Sequence, residues 1–272
     1  MSYTAMTFLG ETVMDIIKIR NADYDRYEEL LMQRDQLRKE ADIYHGLYVR
    51  EFGDLHLQIF EKQIACIRKK KLIGYYQLAM NRGDAIDQAT IDALINDEME
   101  NYRRQLQGMI DENAAAKQMS EITSVTVLKI KRLYRKLAKQ LHPDINPKTG
   151  EIPELMELWN MITTAYNTNS LKDMEEAEVL VNKALERIGM GCMEIEIPNL
   201  EAKIEEAEAD IKRIRETDPY QYKYLLEDPE AVEEKKRDLK SQIDEYEEYE
   251  KQLDAVIEQI LSSGVKIIWK MD

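Results

Sequence analysis

The sequence contains few residues that turn or break a chain. Its 272 residues include ten glycines, six prolines and three phenylalanines. A fold made of many short strands needs a turn after each strand, and Gly and Pro form many of those turns. No stretch approaches the run of about 18 apolar residues that a membrane-spanning helix needs. The composition therefore favours long helices and disfavours an all-β fold or a membrane protein.

Cysteine and histidine are also scarce. Cys66 and Cys192 share no spacing typical of a disulfide or a metal site, and two free thiols suit a reducing compartment. The first ten residues lack the basic segment and apolar run of a signal peptide, so we expect a cytoplasmic protein. His45, His56 and His142 have no readable catalytic triad or metal-ligand partner. The sequence thus predicts no enzyme, no cofactor and no bound metal.

Charge of one sign dominates the chain. Charged residues make up 33% of it, and the formal net charge is −15. Such a protein is repelled by nucleic acid and by anionic membranes, and we expect neither as a partner. A basic patch on this background calls for an explanation.

The N-terminal region, residues 1–121, has the pattern of long amphipathic helices. One stripe, with a single polar break, consists of Tyr24, Tyr27, Leu31, Arg34, Leu37, Ala41, Tyr44 and Tyr48. These steps of three and four are typical of an amphipathic helix or a coiled-coil seam. Gly46 and Gly53 are candidate interruptions. Gly83 suits a left-handed helix end, and Asp87 can cap the helix that follows.

The C-terminal region, residues 191–272, contains two heptad seams. The first consists of Leu200, Ile204, Ala207, Ile211 and Ile214, and the second of Leu239, Ile243, Tyr246, Leu253, Ile257 and Ile260. Two seams joined by a connector that contains helix breaks predict an antiparallel coiled-coil hairpin. The alternating segments 193–197 and 265–269 are predicted to pair as a small two-stranded ribbon. Because a seam can also close between two copies, a homo-oligomer remains an open alternative.

Residues 126–144 form a helix with two different faces. One face consists of Ile130, Leu133, Leu137 and Leu141, flanked by Tyr134 and Ala138. The opposite arc consists of Lys129, Lys131, Arg132, Arg135, Lys136 and Lys139. Like charges four residues apart cost a helix a few tenths of a kcal/mol, and no acidic residue lies between Glu121 and Asp144. A basic run such as Arg68–Lys71 is usually a solvated face, but this uncompensated arc predicts a docking surface for an acidic partner.

A loop at His142-Pro143-Asp144 ends this helix. Pro143 has no backbone N–H and disfavours helical geometry at the residue before it. The loop therefore presents an imidazole and a carboxylate just beyond the basic arc. A second helix follows, with Pro153 in its first turn. Its apolar face, suited to pack antiparallel on the first helix, consists of Leu155, Leu158, Trp159, Ile162, Ala165 and Tyr166.

This helix–loop–helix unit resembles the J-domain of the DnaJ/Hsp40 co-chaperones. The resemblance rests on Tyr134-Arg-Lys-Leu-Ala138, His142-Pro-Asp144 and Trp159…Ala165-Tyr166, and we delimit the domain to 122–190. The helical N-terminal half and the turn at 81–84 are also similar to a bacterial family of helical J-domain proteins. The expected fold is an all-α, elongated multi-helix protein with a central J-domain, coiled-coil-like helical hairpins and a minor β-ribbon near the C-terminus.

The resemblance implies a function as an Hsp70 co-chaperone. J-domains bind the ATP state of a DnaK-type Hsp70 and stimulate its ATP hydrolysis. By this comparison the Hsp70-binding residues are Lys131, Arg132, Tyr134, Arg135, Lys136, Lys139, His142, Pro143, Asp144 and Asn146. Asp144 would pair with an arginine of Hsp70. The helical flanks would bind an unidentified client protein.

The chain also departs from the J-domain pattern. The usual first helix has no counterpart before Val125, and residues 109–120 are a candidate substitute. Ile145 stands where a basic residue commonly follows the motif, and residues 171–186 are acidic where the family has a basic helix. The Gly/Phe-rich linker and the CxxC repeats of a full DnaJ are missing from the sequence. The alternative is a helical scaffold or interaction protein whose J-like fold is not coupled to Hsp70.

Overall fold

The structure, a computed structural model, describes residues 4–118, 124–188, 197, 199–263 and 267–268. Within these ranges it contains ten helices and two short strands, so the predicted all-α class is confirmed. The elements are α1 (Thr4–Arg82), β1 (Ile86–Asp87), α2 (Gln88–Glu98), α3 (Glu100–Lys117), α4 (Ser124–Leu141), α5 (Lys148–Glu151), α6 (Pro153–Asn167), α7 (Leu171–Ile188), α8 (Leu200–Glu216), α9 (Tyr222–Leu226), α10 (Pro229–Ser262) and β2 (Ile267–Ile268). None of the helices in these ranges has the apolar stretch that crossing a membrane requires.

The first helix, α1, is continuous over 79 residues. Neither Gly46 nor Gly53 interrupts it, because a helix tolerates an isolated glycine at a cost of about 1 kcal/mol. Gly53 lies against α3, where an added Cβ would collide with the side-chain oxygen of Asn113. The helix ends as predicted at Gly83, whose φ of 71° lies in the left-handed region.

Two compact units make up the described fold. Unit 1 combines Met1–Ile43 with Ser120–Gln221, and unit 2 combines Tyr44–Met119 with Tyr222–Asp272. This grouping differs from a division into the consecutive segments 1–121, 122–190 and 191–272. Each unit joins one part of α1 to helices that come later in the chain, because the long apolar stripe of α1 offers packing surface along its length.

In unit 1 the core lies around α4 and α6. The apolar faces predicted for these two helices are buried, including Ile130, Leu137 and Leu141, which are fully buried. Helix α7 packs on both through a further buried stripe. This stripe consists of Met174, Ala177, Val181 and Ala184. The same core also takes up three residues of α1, namely Tyr27, Leu31 and Met32, and two of α8, namely Ile204 and Ala207.

The candidate substitute for the first J-domain helix lies elsewhere. Residues 109–117 belong to α3, which is part of unit 2, where Asn113 donates a hydrogen bond to Asp54. The helices that cover α4 and α6 are instead α1 and α7. The sequence could not distinguish these candidates, since each of them is amphipathic.

Unit 2 contains two apolar clusters along the C-terminal half of α1. One consists of Tyr76, Ile86, Ile91, Ile95, Met99 and Ile260. The other is centred on Phe52, Ile59 and Leu239. Asp87 caps α2 as predicted, because its carboxylate accepts a hydrogen bond from the backbone N–H of Thr90 at 3.3 Å.

The structure departs from the hairpin predicted in the C-terminal region, and it describes only part of the predicted ribbon. The seam of α8 packs in the core of unit 1, and α10 packs on α1 in unit 2, where Lys69 binds Glu250 at 2.9 Å. Each seam therefore uses α1 as its partner in place of the predicted hairpin. Of the predicted ribbon, 267–268 forms a strand, but it pairs in parallel with Ile86–Asp87. The other predicted strand, 193–197, lies outside the described residues except for Ile197, which is not in a strand.

Leucine-to-alanine substitutions on α4 test the core of unit 1. Leu137 is fully buried, and removing its side chain should lower the free energy of unfolding by about 2–5 kcal/mol. Leu128 on the same helix is 64% exposed, so Leu128→Ala should change it by less than about 0.5 kcal/mol. Urea unfolding followed by Trp159 fluorescence, in a Trp269→Phe background, measures both. Equal effects from the two substitutions would contradict this packing.

Candidate functional site

The predicted motif forms a compact loop at the end of α4. The backbone N–H of His142 still bonds to the carbonyl of Ala138 at 2.8 Å, and Pro143, which has no N–H, then ends the helix. The backbone N–H groups of Ile145 and Asn146 both bond back to the carbonyl of His142. The chain therefore turns tightly around His142 before it enters the short helix α5.

His142 points inward and is 4% exposed. Its ring lies 4.8 Å from the ring of Trp159 on α6, measured between centroids. The backbone N–H of Asp144 donates to Nδ1 at 3.1 Å, so Nδ1 carries no proton. Nε2 then carries the proton and faces Oδ2 of Asp35 on α1 at 3.4 Å. Both ring nitrogens thus hold the loop in place.

Asp35 joins α1 to the motif. The hydroxyl of Tyr134 donates to its Oδ2 at 2.7 Å, and the guanidinium of Arg34 lies 3.2 Å from its Oδ1. Burial alone would raise the pKa of Asp35, but the hydrogen bond from His142, followed by the interactions with Arg34 and Tyr134, outweighs burial and lowers it. The carboxylate is therefore kept ionised inside a polar network that spans three elements.

Arg34 bridges this network to the motif itself. Its Nη2 lies 3.3 Å from Oδ2 of Asp144, while the same group also bonds to Asp35. The Arg34 side chain is 14% exposed, whereas that of Asp144 is 44% exposed. Burial works against the charge of Arg34, but the two carboxylates outweigh it and raise its pKa. The exposed carboxylate of the motif thus already has a cationic neighbour.

An aromatic pair supports the opposite side of the network. The rings of Tyr134 and Tyr166 stack with centroids 3.9 Å apart. Lys39 of α1 lies over the Tyr166 ring at 3.8 Å and donates to the Tyr166 carbonyl. Burial lowers the pKa of Lys39 to about 8 and, with the charge of Asp35, raises the pKa of Tyr166 to about 12. Tyr134, predicted at the edge of a partner contact, is buried and supports the loop from within.

The basic arc of α4 lies mostly on the surface. Arg132, Arg135, Lys136 and Lys139 are exposed, and Lys131 is half-buried. Two of these cations have acidic partners from other helices. Lys136 bonds to Glu178 of α7 at 2.7 Å, and Lys139 forms an ion pair with Glu28 of α1. The arc is uncompensated within its own segment, but the fold brings carboxylates to it.

Two residues after the motif are buried. The amide of Asn146 donates to the carbonyl of Gln140 at 2.9 Å, and its oxygen accepts from the N–H of Lys148 at 3.2 Å. Asn146 is 2% exposed, so its side chain braces the loop and faces away from a partner. Ile145, which stands where the J-domain pattern would have a basic residue, is fully buried in the core of unit 1. Pro143 is half-buried.

A cleft of about 420 Å³ lies beside the loop. It is lined by Arg34, Asp35, Arg38, Lys39, Asp42, Tyr134, His142, Pro143, Asp144, Trp159, Thr163, Tyr166 and Asn167. The lining contains both cations and carboxylates, so its side chains can change ion-pair partners. A lining of this kind is poorly suited to tight binding of an apolar ligand. In the described part of the chain, no cluster of three or more His, Cys, Asp or Glu side chains could hold a metal ion.

The α1 residues of the site were absent from the predicted set. The sequence did carry one signal for them. Arg34 is the polar break in the apolar stripe that begins at Tyr24, and a charged residue at such a position needs a partner in the fold. That partner could not be read from the sequence, because Asp144 lies 110 residues away.

Asp35→Asn should change the acid sensitivity of unit 1. Because the pKa of Asp35 is lowered on folding, its ionised form stabilises the fold above about pH 4, and this contribution is lost as pH falls further. At neutral pH the substitution should cost about 1–3 kcal/mol, since His142 and Arg34 lose a charged partner. Between pH 5 and 3 the variant should then lose less stability than wild type.

Urea unfolding at pH 3, 4, 5 and 7 measures this difference. Asp42→Asn, an exposed carboxylate on the same helix, is the control and should stay within about 0.5 kcal/mol of wild type. If the free energy of unfolding falls with pH by the same amount in wild type and in Asp35→Asn, the carboxylate does not stabilise the fold as described.

Comparison with known proteins adds no further evidence on function. The chain matches no model of a protein family, no curated protein and no solved structure. No activity is therefore carried over from a relative. The case for a function rests on the helix–loop–helix unit and on the side chains that surround it.

Proposed function

We propose that this protein is an Hsp70 co-chaperone. Its J-domain-like unit, α4 to α6, docks on a DnaK-type Hsp70 and stimulates ATP hydrolysis there. The protein itself has no catalytic role and binds no cofactor or metal for this purpose. The cytoplasm, where DnaK-type chaperones act, is its proposed location.

A single observation carries the proposal. One helix presents five exposed cations, Lys129 among them, and ends directly in the His-Pro-Asp loop, where the Asp144 side chain is 44% exposed. The chain as a whole is strongly acidic, with a net charge of −15. A positive face on a negative protein orients encounter with an acidic partner, because like-charged faces repel it. The carboxylate beyond that face is suited to receive a cationic side chain from the same partner.

The roles of the motif residues follow from their surroundings. His142 and Pro143 fix the loop, since the ring is held on Trp159, Asp35 and the backbone of Asp144. Asp144 supplies the exposed charge. Arg132, Arg135, Lys136 and Lys139 supply the positive surface, with Lys131 at its margin. Tyr134 and Asn146 are buried, and their hydrogen bonds keep the loop and the charged side chains in position.

The flanking helices are proposed to bind a client protein or a further partner. The alternative is an interaction scaffold that retains this fold without acting on Hsp70. Both functions use the long helices, so only the coupling to Hsp70 distinguishes them. Deleting 193–272 is not a clean test of the flanks, because Ile204 and Ala207 belong to the core of unit 1.

ATP hydrolysis in a single turnover tests the coupling. Wild type should accelerate hydrolysis by a DnaK-type Hsp70, whereas His142→Gln and Asp144→Asn should not. His142→Gln removes the ring that holds the loop on Trp159, and Asp144→Asn removes the exposed charge with little change in shape. Negligible acceleration by all three proteins would overturn the co-chaperone proposal and favour the scaffold.

Charge reversal tests the docking surface. Arg135→Glu with Lys139→Glu should abolish binding to Hsp70, and wild-type binding should weaken with added salt. A matched control is Arg50→Glu with Lys70→Glu, two exposed cations of α1 in unit 2, which changes the net charge by the same four units. Affinity can be measured by titration of labelled Hsp70 in the presence of ATP. Equal losses from both pairs would mean that overall charge, and not this face, governs binding.

A further inference from the structure

One short stretch of α1 contacts the motif and the basic arc at three points. Glu28 pairs with Lys139, Arg34 with Asp144, and Asp35 with His142. Glu28 and Asp35 are seven residues apart, so two helical turns place them on the same face of α1. The stretch 28–35 thus places carboxylates beside Lys139 and His142 and a guanidinium beside the carboxylate of Asp144.

The charges of this stretch are complementary to the proposed docking surface. A partner that binds this surface must offer acidic groups to cations such as Lys139 and a cation to Asp144. Glu28 and Arg34 already provide both. We infer that the 28–35 stretch is an internal competitor for Hsp70, which must displace Glu28 and Arg34 from the docking surface. This inference rests on the proposed function.

The exchange needs only side-chain movement. Three residues of the same part of α1, Tyr27, Leu31 and Met32, are buried in the core of unit 1 and keep the helix in place. In each contact the group on the docking surface is well exposed, 57% for Lys139 and 44% for Asp144, whereas the competing side chains of Glu28 and Arg34 are 13% and 14% exposed. Arg34 keeps Asp35 as a neighbour when it leaves Asp144. Rotation about side-chain bonds therefore opens the surface without unfolding the unit.

Asp35 has a different role from its neighbour. It accepts a hydrogen bond from the Tyr134 hydroxyl and faces the N–H of His142, so it holds the loop whether or not a partner is bound. Substituting Asp35 would disturb the loop and the competition together. The test therefore uses Arg34 and Glu28.

Simple electrostatics and internal competition predict opposite changes in the affinity for Hsp70 when the Arg34 side chain is removed. If Arg34 were only one more cation near an acidic partner, Arg34→Ala would weaken binding. As a competitor for Asp144, its removal should strengthen binding. Arg38 provides the matched control, since it is an exposed arginine one turn further along α1 whose carboxylate partner is Asp210. Glu29, an exposed neighbour of Glu28, is the corresponding acidic control.

The experiment compares two double variants of the full chain that both keep the net charge at −15. Arg34→Ala with Glu28→Gln removes the competing pair, and Arg38→Ala with Glu29→Gln removes the control pair. Partly exposed ion pairs typically change an equilibrium by about twofold to fivefold each. The first variant should therefore bind ATP-bound Hsp70 roughly 4- to 25-fold more tightly than wild type. The control variant should bind like wild type.

Asp144→Asn and circular dichroism complete the design. If the first variant binds no more tightly than the control, while Asp144→Asn abolishes wild-type binding, the internal competitor is disproved and the proposed function stands. If neither wild type nor either double variant binds Hsp70, the proposed function fails and the competitor with it. If a double variant keeps the helicity and the urea midpoint of wild type, a gain in its affinity comes from the docking surface and not from a change in fold.

Discussion

The buried carboxylate of Asp35 is the interaction on which the arrangement of the candidate site depends. An ionised group with a side chain only 13% exposed is costly unless several partners surround it. Those partners are His142 from the loop, Tyr134 from α4 and Arg34 from α1 itself. With one of them gone the others still compensate the carboxylate, but losing all three would leave its charge buried without a partner. This requirement fixes the turn at the end of α4 relative to α1 more firmly than apolar contacts could, because hydrogen bonds and ion pairs are directional.

Apolar periodicity predicted which faces are buried, and it did so well for α4 and α6. Their stripes, from Ile130 to Leu141 and from Leu155 to Tyr166, lie in one core. Local chemistry also located ends of elements at Gly83 and Asp87. Both kinds of signal act within a few residues of the chain. The partner of each face was not predictable in this way, since a stripe indicates that a face is covered but not which helix covers it.

The two C-terminal seams illustrate this limit. Their heptads are compatible with each other, and a hairpin is the shortest way to pair them. In the fold each seam instead packs along α1, whose apolar stripe is much longer than either. The strand at 267–268 likewise pairs with β1, which lies 181 residues earlier in the chain. The acidic partners of the basic arc, Glu28 and Glu178, also lie in other helices and are therefore not predictable from the sequence of α4 alone.

The discontinuous make-up of unit 1 sets an order on its assembly during synthesis. Leu31 of α1 shares a core with Ile204 of α8, and the whole of 44–119 belongs to the other unit. At about 5–20 residues per second, a ribosome needs roughly 9–35 s to add the intervening residues. Throughout that interval the apolar face of α1 lacks α8, the last helix to join the core of unit 1. A nascent chain of this protein therefore presents a helix surface that chaperones can recognise before the core of unit 1 is complete.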